Sequence, residues 1–79
     1  MSPTVLRKDG YRFFFFSREE QRMHVHVSSS DGEAKWWLEP AVELAYNHRM
    51  SAKQLRETEV IIRDHFGDIA DAWQRHFGN

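Results

Sequence analysis

Hydrophobic and polar positions alternate with period two through residues 4–48, and that alternation predicts strands. Residues 4–8 read as a short strand. Asp9-Gly10 follows between apolar runs, a strong hairpin signal. Residues 11–17 form the second predicted strand, with Tyr11, Phe13 and Phe15 on one face and Arg12, Phe14 and Phe16 on the other. Both faces are aromatic, which suits a central strand or one whose outer face meets a partner. Residues 18–22 are fully polar and read as a loop or a single helical turn. Residues 23–27 predict a third strand and residues 28–32 a turn. Residues 33–38 predict a fourth strand, with Ala34, Trp36 and Leu38 inward and Lys35 and Trp37 outward, before Glu39-Pro40 interrupts it. Val42, Leu44 and Tyr46 alternate again and predict a fifth strand over 42–46. A short helix competes there, because Glu43, Leu44 and Ala45 favour helix.

The period changes after residue 50. Ser51 with Gln54 three residues later fits a capping box. At about 100° per residue, Leu55, Ile62, Phe66, Ile69, Trp73 and Phe77 fall on one stripe. The phase survives Gly67, so one long helix is expected, kinked at Gly67; a split at Gly67-Asp68 is the alternative. Val60 and Ile61 lie off the stripe and suit a second contact surface or plain exposure. The expected fold is a single α+β domain over 1–79. It is an antiparallel meander of four to five strands, one face packed by a long C-terminal helix.

Size narrows this picture. A chain of 79 residues has a marginal core, and with no cysteine it has no disulfide or thiolate metal staple. Three Trp, six Phe and two Tyr must supply much of the burial, with self-association as the other remedy. The net charge of −1 gives no global attraction to nucleic acid or anionic lipid. The distribution is uneven: residues 1–30 carry five Lys/Arg against three Asp/Glu. The longest apolar run, residues 13–16, is one strand's worth, and no N-terminal apolar segment suggests a signal peptide. A cytoplasmic location without membrane contact is expected.

His24-Val25-His26-Val27 carries the candidate chemistry. On a strand both imidazoles share the face opposite the valines. Imidazole binds metals and moves protons near neutral pH. A divalent metal such as zinc would need further ligands beyond His24 and His26, and Glu19, Glu20 and His48 are the candidates. Alternatively, one histidine accepts a 2′-hydroxyl proton, the other donates to the leaving oxygen, and Arg18, Arg22 or Lys35 stabilises the developing charge, as in a ribonuclease. The plain reading is that both histidines are polar outer-face residues that bond neighbours or a partner. His65 and His76 suit the helix surface, and Trp36 and Trp73 suit the core. Phe14, Phe16, Lys35 and Trp37 are the expected partner-contact residues, since outward aromatic surface marks interfaces. Base stacking on Trp37 would make RNA a partner.

Taken in order, Pro3-Thr4-Val5-Leu6-Arg7, the aromatic segment 11–17, the His24–Val27 box, Gly32 to Pro40 and the helix with His65 and Trp73 resemble the bacterial domain of unknown function 4160. The resemblance spans nearly the whole chain. It implies a small stand-alone protein, often encoded beside one of the domain-of-unknown-function 2442 type. That pairing implies a two-protein, toxin–antitoxin-like module. The family pattern commonly has Asp-His and then Pro-Pro before the histidine box. Here Glu19-Glu20-Gln21-Arg22-Met23 stands in that place, so the third histidine is missing. Glu20 takes roughly its position as a carboxylate ligand or base, which adds Glu20 and Arg22 to His24 and His26 as candidate catalytic residues. The expected function is action through a protein partner. A His-dependent ribonuclease or metal-dependent hydrolase, and a homodimeric binding module formed through strand 11–17, are the alternatives.

Overall fold

A computed structural model describes residues 4–16 and 22–78. Five strands, β1 (Thr4–Lys8), β2 (Tyr11–Phe14), β3 (His24–Ser28), β4 (Glu33–Trp37) and β5 (Glu43–His48), form one antiparallel sheet in chain order. Helices α1 (Ala52–Asp64) and α2 (Phe66–Phe77) follow. The fold is α+β, with all five predicted strands present.

Local chemistry explains the turns. Lys8 pairs with Tyr11 across Asp9 and Gly10, whose φ values of 54° and 86° are those of a type I′ turn. The β3–β4 turn is held by Ser29, whose Oγ accepts from the Asp31 and Gly32 amides at 3.2 Å each. Gly32 is required by proximity: a Cβ there would run into the His48 carbonyl oxygen and lie 2.8 Å from the Arg49 carbonyl carbon. The capping box at Ser51 is present in both directions, Gln54 N to Ser51 Oγ (3.1 Å) and Ser51 N to Gln54 Oε1 (2.9 Å).

The core lies between the helices and one face of the sheet. Tyr11, Phe13, Phe15, Val25, Val27, Ala34, Trp36 and Leu38 point into it from the sheet side. Ile61, Ile62, Ile69 and Trp73 meet them from the helices. Two side-chain bonds tie α1 to the ends of the hairpins: Tyr11 Oη donates to Glu57 Oε1 at 2.6 Å, and Gln54 Nε2 donates to Asp31 Oδ2 at 3.2 Å.

Three features depart from the sequence expectation. β2 stops at Phe14; Phe15 and Phe16 lie beyond it, and Ser17 falls outside the described residues. β5 is bulged: Trp36 pairs with Leu44, but Lys35 pairs with Tyr46. The extra residue, Ala45, puts Leu44 on the core face and Tyr46 on the outer face, so the two do not share a side. The helical half divides at His65, two residues before Gly67. His65 has φ −113° and ψ 21°, while His65 N to Ile61 O and Ile69 N to His65 O (both 3.0 Å) carry the bonding ladder through the break. The division lets α1 choose its own facing direction, and Ile61 turns into the core instead of lying off the stripe. Val60 is exposed, as expected.

Gly32→Ala should cost about 2 kcal/mol or more, because the obstruction is backbone on a neighbouring segment. Gly67→Ala, where a Cβ meets nothing within 4 Å, should be neutral or stabilise by about 0.5 kcal/mol. Urea unfolding of both variants checks the pair. Burial and the Glu57 hydrogen bond raise the Tyr11 pKa from 10.0 to about 12. The folded state therefore keeps its phenol proton where the unfolded chain loses it, and stability falls as pH rises from 10.0 toward about 12. Tyr11→Phe should flatten that part of the wild-type stability–pH curve and cost about 1 kcal/mol at neutral pH, both measurable by denaturation at stepped pH.

Candidate binding face of the sheet

Alternation places a second set of side chains on the face away from the core, and cross-strand register arranges them in rows. Arg7, Arg12, Ser28, Glu33 and His48 form one row. Phe14, His26, Lys35 and Tyr46 form the next, and His24, Trp37 and Glu43 the third. Rings and cations interleave across these rows. The Arg12 guanidinium lies 4.4 Å from the Phe14 ring centre, and its Nε donates to Thr4 Oγ1 at 2.7 Å. Arg22 and Lys35 sit over Trp37, at 4.1 and 4.4 Å. Arg22 also donates to the Glu39 carbonyl (2.9 Å) and lies 3.8 Å from Glu43. His26 stacks on Phe14 (5.5 Å) and meets the edge of Phe16 (4.3 Å).

All four expected contact residues therefore stand on this face, with unequal exposure. Phe16 is 43% exposed, Lys35 and Trp37 are half-buried, and Phe14 is buried beneath its neighbours. The alternation did not reveal Tyr46, which the bulge turns outward and which is 51% exposed. It also did not reveal the clasp of Arg22 on Trp37, because Arg22 precedes β3.

The histidine pair separates. His24 is fully buried, whereas His26 is partly exposed. The cause is the early end of β2. Continued in register, β2 would set Phe16 opposite His24. It stops at Phe14, and Trp73 of α2 reaches His24 instead, with ring centres 5.1 Å apart. Trp37 and His26 enclose its other sides at 5.7 and 5.2 Å. His24 Nδ1 donates to the Arg22 carbonyl at 2.7 Å, which fixes the proton on that nitrogen.

This arrangement bears on chemistry. Of the two imidazoles named for acid–base cleavage of RNA, His26 is at the surface and His24 is enclosed. His48 stands on β5 opposite Glu33, in a different row from either histidine. Among the described residues no three of His, Asp or Glu gather at metal-binding spacing. Glu19 and Glu20, named as ligands or base, and Arg18 lie outside the described residues. Also among the described residues, no helix is long and apolar enough to cross a membrane.

The profile of the family described as Domain of unknown function (DUF4160) matches residues 10–74. The chain belongs to the DUF4160 family. No curated protein and no solved structure matches it. The matched span of this DUF4160 domain includes His24, His26, Trp37 and Trp73, so the seam between α2 and the outer face lies within it. β1, with Arg7 and Lys8, lies outside it.

In this DUF4160 domain His24→Ala should destabilise by roughly 2–4 kcal/mol, from the cavity beside Trp73 and the lost hydrogen bond. His26→Ala should cost no more than about 1 kcal/mol. Chemical denaturation of the two single variants checks the separation; equal costs would contradict it.

Proposed function

We propose that this domain is a binding module that takes a protein partner on the outer face of its sheet, as one half of a two-protein, toxin–antitoxin-like module. One observation supports the reading. The helices cover a single sheet face, and the other keeps Phe16 exposed beside Trp37 with cations laid on the rings. Trp, Arg and aromatic clusters of this kind carry most of the energy in protein interfaces. Arg12, Arg22 and Lys35 on the same face suit a partner that brings carboxylates to the rim of the contact.

The sheet edges suit such a contact less well. β1 is bulged between Thr4 and Leu6 and β5 between Leu44 and Tyr46. Bulges twist an edge away from further pairing. β2, through which a homodimer was also expected, is paired on both sides and offers only its face. The partner of choice is the product of a neighbouring gene of the domain-of-unknown-function 2442 type.

Co-expression with that product should give a complex that survives purification. Trp37→Ala should weaken it by about 2 kcal/mol, roughly thirtyfold. Lys35→Glu and Phe16→Ala should weaken it while leaving circular dichroism unchanged. A folded monomer that ignores the product, or a complex indifferent to all three changes, would overturn the reading.

A further inference from the structure

β5 is the strand that the fold leaves least covered. All six of its residues, Glu43–His48, are exposed, and none belongs to the core. It is the last strand of the sheet, so its outer edge has no strand beside it. Leu44 faces the core side yet is 40% exposed, and Tyr46 on the outer face is 51% exposed. The opposite edge is guarded, because β1 carries Arg7 and Lys8 as well as its bulge. β5 has neither lysine nor proline and is the longest of the five strands. Between its end residues Glu43 and His48 its guard is the bulge at Ala45.

We infer that β5 pairs antiparallel with β5 of a second copy of this chain, joining the two sheets into one. The register follows from the bulge. Glu43, Tyr46 and His48 stand on the outer face, opposite Trp37, Lys35 and Glu33. Leu44 and Asn47 stand on the core face, opposite Trp36 and Ala34. Residues that pair directly across two strands share a face. Setting Glu43 opposite His48 of the second copy meets this condition. Leu44 then lies opposite Asn47, and the two bulges sit beside the two-fold axis. A slip of one residue sets Glu43 opposite Asn47 and breaks the match. The bulge turns the edge away from a regular strand, but a second β5 carries the same irregularity and fits it.

Charge and contact agree with this register. A carboxylate meets an imidazole at both ends of the pair, since the two-fold repeats each contact. Glu43 also lies 3.8 Å from Arg22, and His48 stands beside Glu33; Glu43 and His48 are both exposed, so each has room for a further hydrogen bond. The two Tyr46 rings come together next to the axis on the outer face, where their apolar area leaves water. Phe16 and Trp37 are no part of this edge, so the inference does not depend on the partner proposed for the outer face.

An edge of six residues gives an interface at the small end of specific contacts, so a dissociation constant of roughly 10–100 μM is expected. Sedimentation equilibrium of the whole chain from about 1 to about 500 μM should show monomer passing to dimer. Tyr46→Glu keeps an attractive neighbour in Lys35 but sets two like charges beside the axis. It should weaken association at least about tenfold with circular dichroism unchanged. The register has its own test, because the chain has no cysteine. Glu43→Cys and His48→Cys mixed in equal amounts should form a mixed disulfide under mild oxidation. Either variant alone should not, its two sulfurs lying about five residues apart along the strands, about 16 Å. A chain monomeric throughout that range would leave the edge to a strand of another protein and overturn the inference. So would a dimer indifferent to Tyr46→Glu, or disulfides no more abundant in the mixture than in either variant alone.

Discussion

The fold turns on an aromatic seam with His24 at its centre. Phe77 packs on Trp73 at 4.2 Å, Trp73 on His24 at 5.1 Å, and His24 on both His26 and Trp37. The chain of rings begins in the core and ends on the outer face. A sheet of five short strands with helices on one side has little to brace its free side, and in a domain this small each large burial counts. The seam supplies the brace: α2 holds the end of β3 from beyond the end of β2, and β3 in turn positions Trp37 and His26. The outer face is thus set by a contact with the helix that covers the inner one.

That dependence gives the two histidines of one motif different standing. Alternation alone places them as equals. What separates them is where β2 stops, four residues along from its hairpin turn. His26 still has Phe14 as cross-strand neighbour and remains a surface ring; His24 has lost that neighbour and is closed over by an indole from the helix. The two imidazoles of the motif therefore stand in different surroundings, His24 enclosed and His26 at the surface.

Features set by neighbours in sequence were the legible ones. The Asp9-Gly10 turn follows from φ preferences, the Ser51–Gln54 box from hydrogen bonding over one helical turn, and the inward set on β2 to β4 from period two. Features set by distant neighbours were not. The bulge at Ala45 depends on pairing with Lys35 and Trp36, and it moves Tyr46 to the face opposite the one its spacing from Leu44 suggests. The break at His65 was sought at Gly67, the residue of poorest helix propensity nearby. Helix hydrogen bonds tolerate Gly67 within the first turn of α2, and the change of direction sits where the dihedral angles of a single residue reorient the stripe. Alternation places Phe14 on the outer face but says nothing of its exposure, and there Arg12, His26 and Phe16 lie over the ring and bury it.

The net charge conceals how the ionic groups are arranged. Arg7, Arg12, Arg22 and Lys35 gather on or beside the outer face, against Glu33 and Glu43. The helices carry Glu57, Glu59, Asp64, Asp68 and Asp71, partly offset by their own cations, as Glu59 is by Arg63 at 2.8 Å. Paired charges on a helix surface are screened within a Debye length and do little at a distance. Cations laid on aromatic rings are different, because the rings hold them in place and displace water from one side. A face built this way keeps its cations in fixed positions without a large net charge, with aromatic surface beside them. The uncovered face of the sheet is therefore the one on which cations are laid against aromatic rings, while α1 pairs Glu59 with Arg63 at its own surface.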